Sequence, residues 1–429
     1  MQPETLAALT ELAATTAEKE HVASIAWGVV IDGGLHTHGC AGALLHDDEP
    51  ADERASFRIA SMTKSFTAAV VLALRDEGLW QLDDPIARHA PELAAVRGPE
   101  GSAPLTIRQL LSMTAGLATD DAWADRHLDM TAEEIDAIYA AGPTFAHLPN
   151  AAYEYSNLGY GMLGRAVQRA TGVRVQQHIT ERLLQPLGMA DTDWVRPEHD
   201  HWARPHRSRD GQIVRDWPTP IGDGEIAPMG GLWSTVADLA KWIAWFDSAN
   251  STPHQPDFVG LSAASRREMQ RIHTYIGLTT VAGRTSPAGY GFGLNVRDDA
   301  QMGTLVAHAG GLPGYGSNMR WFAGRGVGAI ALGNSFYAPM SVMTMHMLQI
   351  LHEHGEVPSL PPVSAPGWEA GARRLVALLN TWDHDLAGEL FASNVDLDES
   401  LPRRAAAAAA LVERHGPLEL AGLRPTAIT

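Results

Sequence analysis

The sequence predicts an α/β protein of the α+β type, an antiparallel sheet flanked by helices and accompanied by an all-helical domain. Three observations carry that reading. A strand–turn–strand pattern stands near the N-terminus, strand patterns return between residues 290 and 332, and the long stretch between them has helical periodicity broken by Pro and Gly. The chain has 429 residues, 45% of them hydrophobic and 19% charged, enough for two or three domains and a large core.

Taken in order, Met1 to Glu20 is polar and acidic with helical spacing, and it lacks the basic start, apolar core and small-residue cleavage site of a secretory signal. Val22 to Ile31 reads as a strand, Asp32-Gly33-Gly34 as a hairpin turn and Leu35 to Ala41 as its partner. The lone cysteine, Cys40, falls in that partner and reads as a buried structural thiol. A single cysteine excludes an internal disulfide and suits a reducing compartment. After an apolar run, Phe57 to Ala60, the chain meets Ser61 and then reads as a helix to Leu74, ending near Gly78. From Leu82 to about Gly224 the pattern is mostly helical, with Thr106 to Ser112, Thr131 to Ala140 and Gly159 to Thr171 as its clearest pieces and Gly172 as a C-cap. Helix Thr235 to Phe246 follows, then strands Tyr290 to Val296, Thr304 to His308, Asn318 to Phe322 and Val327 to Leu332, then helix Met340 to His354. Four prolines between Pro358 and Pro366 mark a linker. Beyond it come two amphipathic helices, Ala370 to Leu379 and Arg403 to Arg414, and a short strand-like end. The expected organisation is a discontinuous sheet domain (1–81 and 225–355), a helical domain (82–224), a linker (356–367) and a helical C-terminal extension (368–429) that either docks or opens an accessory domain.

Composition removes some function classes. A formal charge of −18 argues against nucleic acid and against an anionic membrane surface as partners. No apolar run approaches the ~18–20 residues of a membrane span. The missing secretory signal and the lone cysteine predict a cytoplasmic protein.

The chemistry-bearing stretch is Ser61-Met62-Thr63-Lys64. Residues three apart on a helix are neighbours, so Lys64 can reach the Ser61 hydroxyl without help from a distant element. That is the S-x-x-K arrangement of a lysine-activated serine nucleophile. The chain has almost no lysine: among 32 basic residues only Lys19, Lys64 and Lys241 are lysines, and only Lys64 has a serine three positions before it. A lysine where arginine is the rule suggests a task that requires losing a proton. The alternative is a helix N-cap at Ser61 beside a solvated cation. Two further groups complete the set. Tyr153-Glu154-Tyr155-Ser156-Asn157 offers a phenol, a hydroxyl and an amide in a loop before a helix, and His308-Ala309-Gly310-Gly311 stands at a strand end opening a glycine-rich turn through Gly316. Each also has a plain reading: Tyr155 as a half-buried aromatic, Asn157 as an N-cap, His308 as a satisfied strand-end histidine.

Together these motifs resemble the serine β-lactamase and penicillin-recognising superfamily, with S-x-x-K, Y-x-N and K/H-x-G in the family's order. Supporting stretches are Phe145 to Asn157 with Gly159-Tyr160-Gly161, Leu184 to Met189, and Gly230 to Thr235. The branch most similar is the class C β-lactamase-like serine hydrolases: esterases, D-amino-acid peptidases and amidases. The resemblance runs from about Ser24 to Leu332 and leaves out Trp368 to Thr429. It implies a β-lactamase-like fold and a site between sheet and helical domain. It also implies roles. Ser61 attacks a carbonyl to give an acyl-enzyme, Lys64 and Tyr155 share its proton, Asn157 bonds the substrate amide or Lys64, and His308 orients the phenol or leaving group. The N–H groups of Ser61 and Gly311 form the oxyanion hole, and Ala309 and Gly310 border the substrate. No cofactor or metal is implied, and the partner is a small-molecule or peptide acyl substrate. One departure stands out: where the carboxypeptidase and β-lactamase branches carry Thr or Ser to hold a substrate carboxylate, this chain has Ala309. That points away from β-lactams and D-Ala-D-Ala ends. An acyltransferase or peptide cyclase of the same fold, and a non-catalytic penicillin-binding-type sensor, are the alternatives.

A lysine base has a physical requirement. Free lysine has a pKa of ~10.4, and lowering it by about three units needs roughly 4 kcal/mol, which desolvation in a closed cleft can supply. Other signals weigh less. Gly159-Tyr160-Gly161-Met162-Leu163-Gly164 fits G-x-G-x-x-G, with Asp191 beyond it, but no strand precedes it. His36 with His38, His199 with His201 and His206, and His352 with His354 lack a third ligand at standard spacing and read as solvated. No G-x-S-x-G is present. Trp194, Trp202, Trp217, Trp233, Trp242 and Trp245 read as packing residues, one or two of them lining an acyl pocket.

Overall fold

The computed structural model describes the chain except residues 46–48, 199–200, 217–221, 251–260, 359–366 and 423–429. Two compact units result, Met1–Pro358 and Ser359–Thr429. The first is organised by strands β1 (Ser24–Ile31), β2 (Gly34–Gly42), β3 (Phe57–Arg58), β4 (His206–Arg209), β5 (Gln212–Arg215), β6 (Trp233–Ser234), β7 (Thr274–Val281), β8 (Arg284–Tyr290), β9 (Asn295–Asp299), β10 (Gly303–Leu312), β11 (Tyr315–Phe322) and β12 (Val327–Gly333). Eight of them form one sheet in the order β2-β1-β12-β11-β10-β9-β8-β7. Every neighbouring pair is antiparallel. This is the α/β architecture the sequence predicts.

The sheet starts at a turn that only certain residues tolerate. Ile31 pairs with Gly34 across Asp32 (φ +50°) and Gly33 (φ +80°), the double positive φ of a two-residue hairpin whose twist matches its strands. β1 is buried on both faces, because helices cover the sheet on each side. Ile25, Trp27 and Val29 pack with Leu9 and Ala13 of helix Pro3–Lys19 and with Met343 and Met347 of helix Met340–Glu353, while Ala26 and Val30 face the core that holds Ser61's helix. Gly28 has a structural reason: a Cβ there would stand 2.5 Å from Val236 Cγ1, so helix Val236–Asp247 lies on the strand only because the side chain is missing. At β2 the sheet ends, and alternate residues face out. Cys40 is one of them, so the expected buried thiol is an exposed one on an edge strand.

The connection that leaves the sheet for the helical region returns beside its own start. β3, just before Ser61, pairs with β6, and Ile59 N–H donates to Leu232 O at 3.1 Å. This neck holds residues 57–62 against 229–234. In the helical region, buried Arg165 bonds Glu92, Asp136 and Glu225 at 3.0, 2.8 and 3.0 Å, tying three loops and helices to helix Asn157–Thr171. The expected helical stretch also contains the β4–β5 hairpin, which turns at Asp210 (φ +52°) and Gly211 (φ +76°) and was not legible because its strands are four residues each and polar. The expected strand Tyr290 to Val296 is a turn between two strands: β8 ends at Tyr290, Gly291 N–H donates to Leu294 O at 2.8 Å, and β9 begins at Asn295. β7, with its Thr-rich alternation, was missed. His308 is not at a strand end. β10 runs on to Leu312, and the glycine-rich segment is a hairpin turning at Pro313-Gly314, with Gly314 at φ +86°.

In the second unit helices run over Trp368–Asn380, His384–Leu390, Val395–Asp398 and Leu401–His415, two more than the periodicity revealed. The first is tied to the chain past the last by Asn380, which exchanges hydrogen bonds with Leu418 at 2.7 and 2.8 Å. The expected linker lies mostly outside the described residues, as does the end of the chain.

Candidate active site

Ser61 lies in a single turn of 3₁₀ helix, Ala60–Met62, that runs directly into helix Thr63–Asp76. Ala60, just before it, has φ +49°, a left-handed conformation that costs a non-glycine residue roughly 1–3 kcal/mol and persists only where surrounding packing enforces it. Here the enforcement is visible. The Ile59 carbonyl accepts from Ser317 Oγ at 2.8 Å, and a Cβ on Gly310 would meet that carbonyl at 2.1 Å. β10 therefore presses on the serine turn at Gly310 with no side chain between, and β11 holds the same carbonyl through the Ser317 hydroxyl.

Lys64 is fully buried. Its Nζ donates to Ser61 Oγ at 2.9 Å, Asn157 Oδ1 at 2.6 Å and the Met229 carbonyl at 2.8 Å. It stands 4.8 Å from the centre of the Tyr155 ring and 5.7 Å from that of Tyr160. Burial pulls its pKa down to about 8, while Asp125, Asp121 and Asp120 act in the opposite sense. Tyr155 is half-buried and shares a hydrogen bond with Ser61; desolvation holds its phenol well above the ordinary tyrosine value. The phenol at the serine is therefore neutral.

Asn157 begins helix Asn157–Thr171, capped by the Ser156 hydroxyl on Gly159 N–H at 3.3 Å. Asp120 adds a second cap, accepting from the N–H groups of Asn157 and Leu158, each at 2.8 Å. Asp121 accepts from Asn157 Nδ2 at 2.6 Å, which turns the amide oxygen toward Lys64. Replacing Asp120 with alanine should cost about 1–2 kcal/mol of stability through the lost cap, read as a lower denaturant midpoint at unchanged slope. An unchanged midpoint would mean that Ser156 caps this helix alone.

His308 takes a place the motif did not indicate. Its Nε2 lies 3.0 Å from the Tyr290 hydroxyl and its Nδ1 2.6 Å from Ala309 O. A carbonyl can only accept, so Nδ1 carries the proton and Nε2 accepts from Tyr290. Burial and the nearby Lys64 push His308 down to about 3, so the ring stays neutral. The phenol it orients is that of Tyr290, which meets Tyr155 edge to face at 6.4 Å between ring centres. The expected partnership of His308 with Tyr155 is thus indirect, and Tyr290 was invisible to a motif search because it lies eighteen residues away at the end of β8.

Ser61, Tyr155, His308, Ala309, Gly310 and Gly311 open onto one cavity of about 380 Å³, with Ala309 exposed to it. Asp121, Asp125, Asn295, Ser317 and Tyr337 complete much of its wall, and none of these carried a sequence signal. Tyr337, at φ +47°, donates to Asp125 and packs where a Cβ on Gly311 would stand. The remaining sequence candidates lie elsewhere. The G-x-G-x-x-G run is interior to a helix, where Gly161 and Gly164 let Ile226 and Pro228 approach. His201 pairs with Asp52, and His206 is buried and bonded to Arg204 O rather than solvated. His199 and Trp217 lie outside the described residues. Among the described tryptophans none lines the cavity; Trp242 and Trp245 stack in the core.

The family model described as Beta-lactamase matches residues 9–352. The chain belongs to that family. It is 30% identical over 337 residues to Esterase EstB of Burkholderia gladioli, covering 68% of this chain and 80% of that one. It is 25% identical over 311 residues to D-alanyl-D-alanine-carboxypeptidase/endopeptidase AmpH of Escherichia coli (strain K12), covering 71% and 77%. The solved structure of the octameric penicillin-binding protein homologue from Pyrococcus abyssi superposes with a TM-score of 0.69 at 22% identity, over 88% of this chain and 82% of that one, a likeness of fold. The β-lactamase-like fold and family expected from the motifs are therefore those found, and the family match stops before the second unit. Among the described residues no helix is long and apolar enough to cross a membrane.

Proposed function

We propose that this member of the Beta-lactamase family is a serine hydrolase that works through an acyl-enzyme on an ester or amide, as a carboxylesterase or a D-amino-acid peptidase or amidase. The observation that carries the reading is the 2.9 Å contact between buried Lys64 Nζ and Ser61 Oγ at the floor of an open cavity. Names of relatives support hydrolysis, one being an esterase and another a carboxypeptidase/endopeptidase. In the proposed cycle Lys64, in its neutral form, takes the Ser61 proton as Oγ bonds to the substrate carbonyl carbon. The bond to the leaving group breaks, and the proton passes to that group through Lys64 or Tyr155. Water then attacks the acyl-enzyme as Lys64 takes its proton, and the bond between the acyl carbon and Ser61 Oγ breaks as Lys64 returns that proton to Oγ, releasing the acid and restoring Ser61 and neutral Lys64. Ser61 and Gly311 N–H groups hold the oxyanion; the close packing of β10 on the serine turn supports that pairing. Ala309 presents a methyl to the cavity where other branches present a hydroxyl, which favours substrates without a carboxylate at that point.

The test is a fluorophosphonate probe followed by peptide mapping, together with turnover of p-nitrophenyl esters and amino-acid p-nitroanilides. The label is expected on Ser61. A label elsewhere, with a Ser61→Ala variant still active, removes the reading; a persistent adduct without turnover makes the protein a sensor.

The lysine also sets a pH profile. With Lys64 at about 8, roughly a tenth of the enzyme holds it neutral at pH 7. The acylation rate should rise nearly tenfold per pH unit below 8 and level off above it, because the deprotonated form is the active one. A rate that falls through this range would exclude Lys64 as the base.

A further inference from the structure

Asp121 and Asp125 stand four residues apart at the two ends of the short helix Asp121–Ala124, and both line the cavity above Ser61. Residues at this spacing share a helix face. The side-chain donors that reach them are neutral: the Asn157 amide for Asp121 and the Tyr337 phenol for Asp125. A carboxylate has about four acceptor sites, so each keeps capacity for another donor. The facing wall brings no compensating cation. Ala309, Gly310, Gly311, Ala338, Pro339 and Ser341 are all uncharged, and none of the described residues lining the cavity is Arg or Lys. His308 is neutral, and Arg126, which acts on the Tyr337 phenol, does not line the cavity. The positive charge facing the two carboxylates is that of Lys64, joined to Asp121 through Asn157 by contacts of 2.6 and 2.6 Å. Lys64 must give up that charge to work as a base, which leaves the carboxylates unbalanced in a partly closed space.

From this wall, and resting on the hydrolase reading above, we propose that the cavity selects acyl substrates that carry a positively charged amine beside the scissile bond and rejects those that carry a carboxylate there. The ammonium of such a substrate takes over the role of counter-ion as Lys64 becomes neutral. By cancelling the charges that otherwise hold a proton on Lys64, it also favours the neutral base in the complex. Selection and activation then come from one contact. The substrates indicated are amides and esters of amino acids with a free amino group, rather than N-acylated peptides ending in a carboxylate.

The experiment compares kcat/KM of the full-length protein for alanine p-nitroanilides, D and L, with a free amine, an N-acetyl cap or an N-succinyl cap, alongside p-nitrophenyl acetate. The free amine is expected to exceed the N-acetyl form by about ten- to a hundredfold, as a charge-assisted hydrogen bond allows, with the N-succinyl form poorest. Asp125→Asn keeps the bond to Tyr337 and should bring the first ratio to within about threefold of unity; in the unaltered protein, raising salt from about 0.05 to about 0.5 M should shrink it. If Asp125→Asn does not fold, Asp121→Asn and the salt series give the same reading. Equal rates for the three anilides, or preference for the succinyl form, with the acetate ester still turned over and Ser61 still labelled, overturn the selectivity and leave the hydrolase. Loss of both ester turnover and labelling removes the hydrolase reading and this inference with it.

Discussion

Replacing Lys64 with methionine is expected to lower the rate of Ser61 acylation by roughly a thousandfold, with the fold retained. General-base assistance contributes typically 10²–10⁴, and neither Tyr155 nor His308 is placed to replace the amine. Tyr155 is held protonated by burial, and His308 carries its proton on the side facing Ala309 O while its other nitrogen is occupied by Tyr290. Methionine matches the unbranched shape of lysine and removes only the amine. Lys64→Arg is the complementary variant: it keeps a cation that cannot act as a base, but places a larger planar head where no side-chain surface is free. Both should lose acylation, and their thermal midpoints should differ. The measurement is the rate of fluorophosphonate labelling, with circular dichroism as the check on folding. A methionine variant that keeps more than about a tenth of the rate, a barrier change under roughly 1.4 kcal/mol, would make Lys64 a structural cation.

The second large effect belongs to a residue with no side chain. Gly310→Ala should reduce kcat/KM by about a hundredfold or more while leaving most of the stability in place. The added carbon would lie 2.1 Å from the Ile59 carbonyl, 2.3 Å from Ser317 Oγ and 3.0 Å from the Ala60 Cβ. Ser317 can rotate, but a backbone carbonyl and a residue already held at positive φ cannot yield separately. β10 must move away from the serine turn, and with it the Gly311 N–H from the carbonyl oxygen it is proposed to hold. Misplacement of about 1 Å is enough for a hundredfold loss. Overpacking of this kind costs about 1–3 kcal/mol, which a unit with so extensive a core can absorb. If the variant were merely less stable, with kcat unchanged at low temperature, Gly310 would be serving the core alone.

How much of this was legible beforehand depended on how local each cause was. Helix Asn157–Thr171 and its stop at Gly172, the Asp32-Gly33 turn, and the helix after Ser61 all follow from residues within a few positions of each other, and each was readable. Cys40 was misjudged because burial on a strand depends on whether another strand or helix covers it, and β2 is the edge. Tyr290 and His308 were misplaced for a related reason. A four-residue turn at 291–294 splits what reads as one strand, and the register of β8, β9 and β10 then brings a phenol to a histidine from eighteen residues away.

By itself the sequence determined the family, the antiparallel sheet with its helical region, and the Ser61–Lys64 pair, because an S-x-x-K on a helix needs only the pitch of that helix to make its contact. Only the tertiary structure decided the character of the cavity. Asp121 and Asp125 have no motif and no fixed spacing from Ser61. They matter because the neck between β3 and β6 returns the chain to the serine, Asn157 links Asp121 to Lys64, and the β10 wall opposite them carries no charge. Charge in a cleft is a sum over walls contributed by distant segments, and such a sum exists only once the chain has folded.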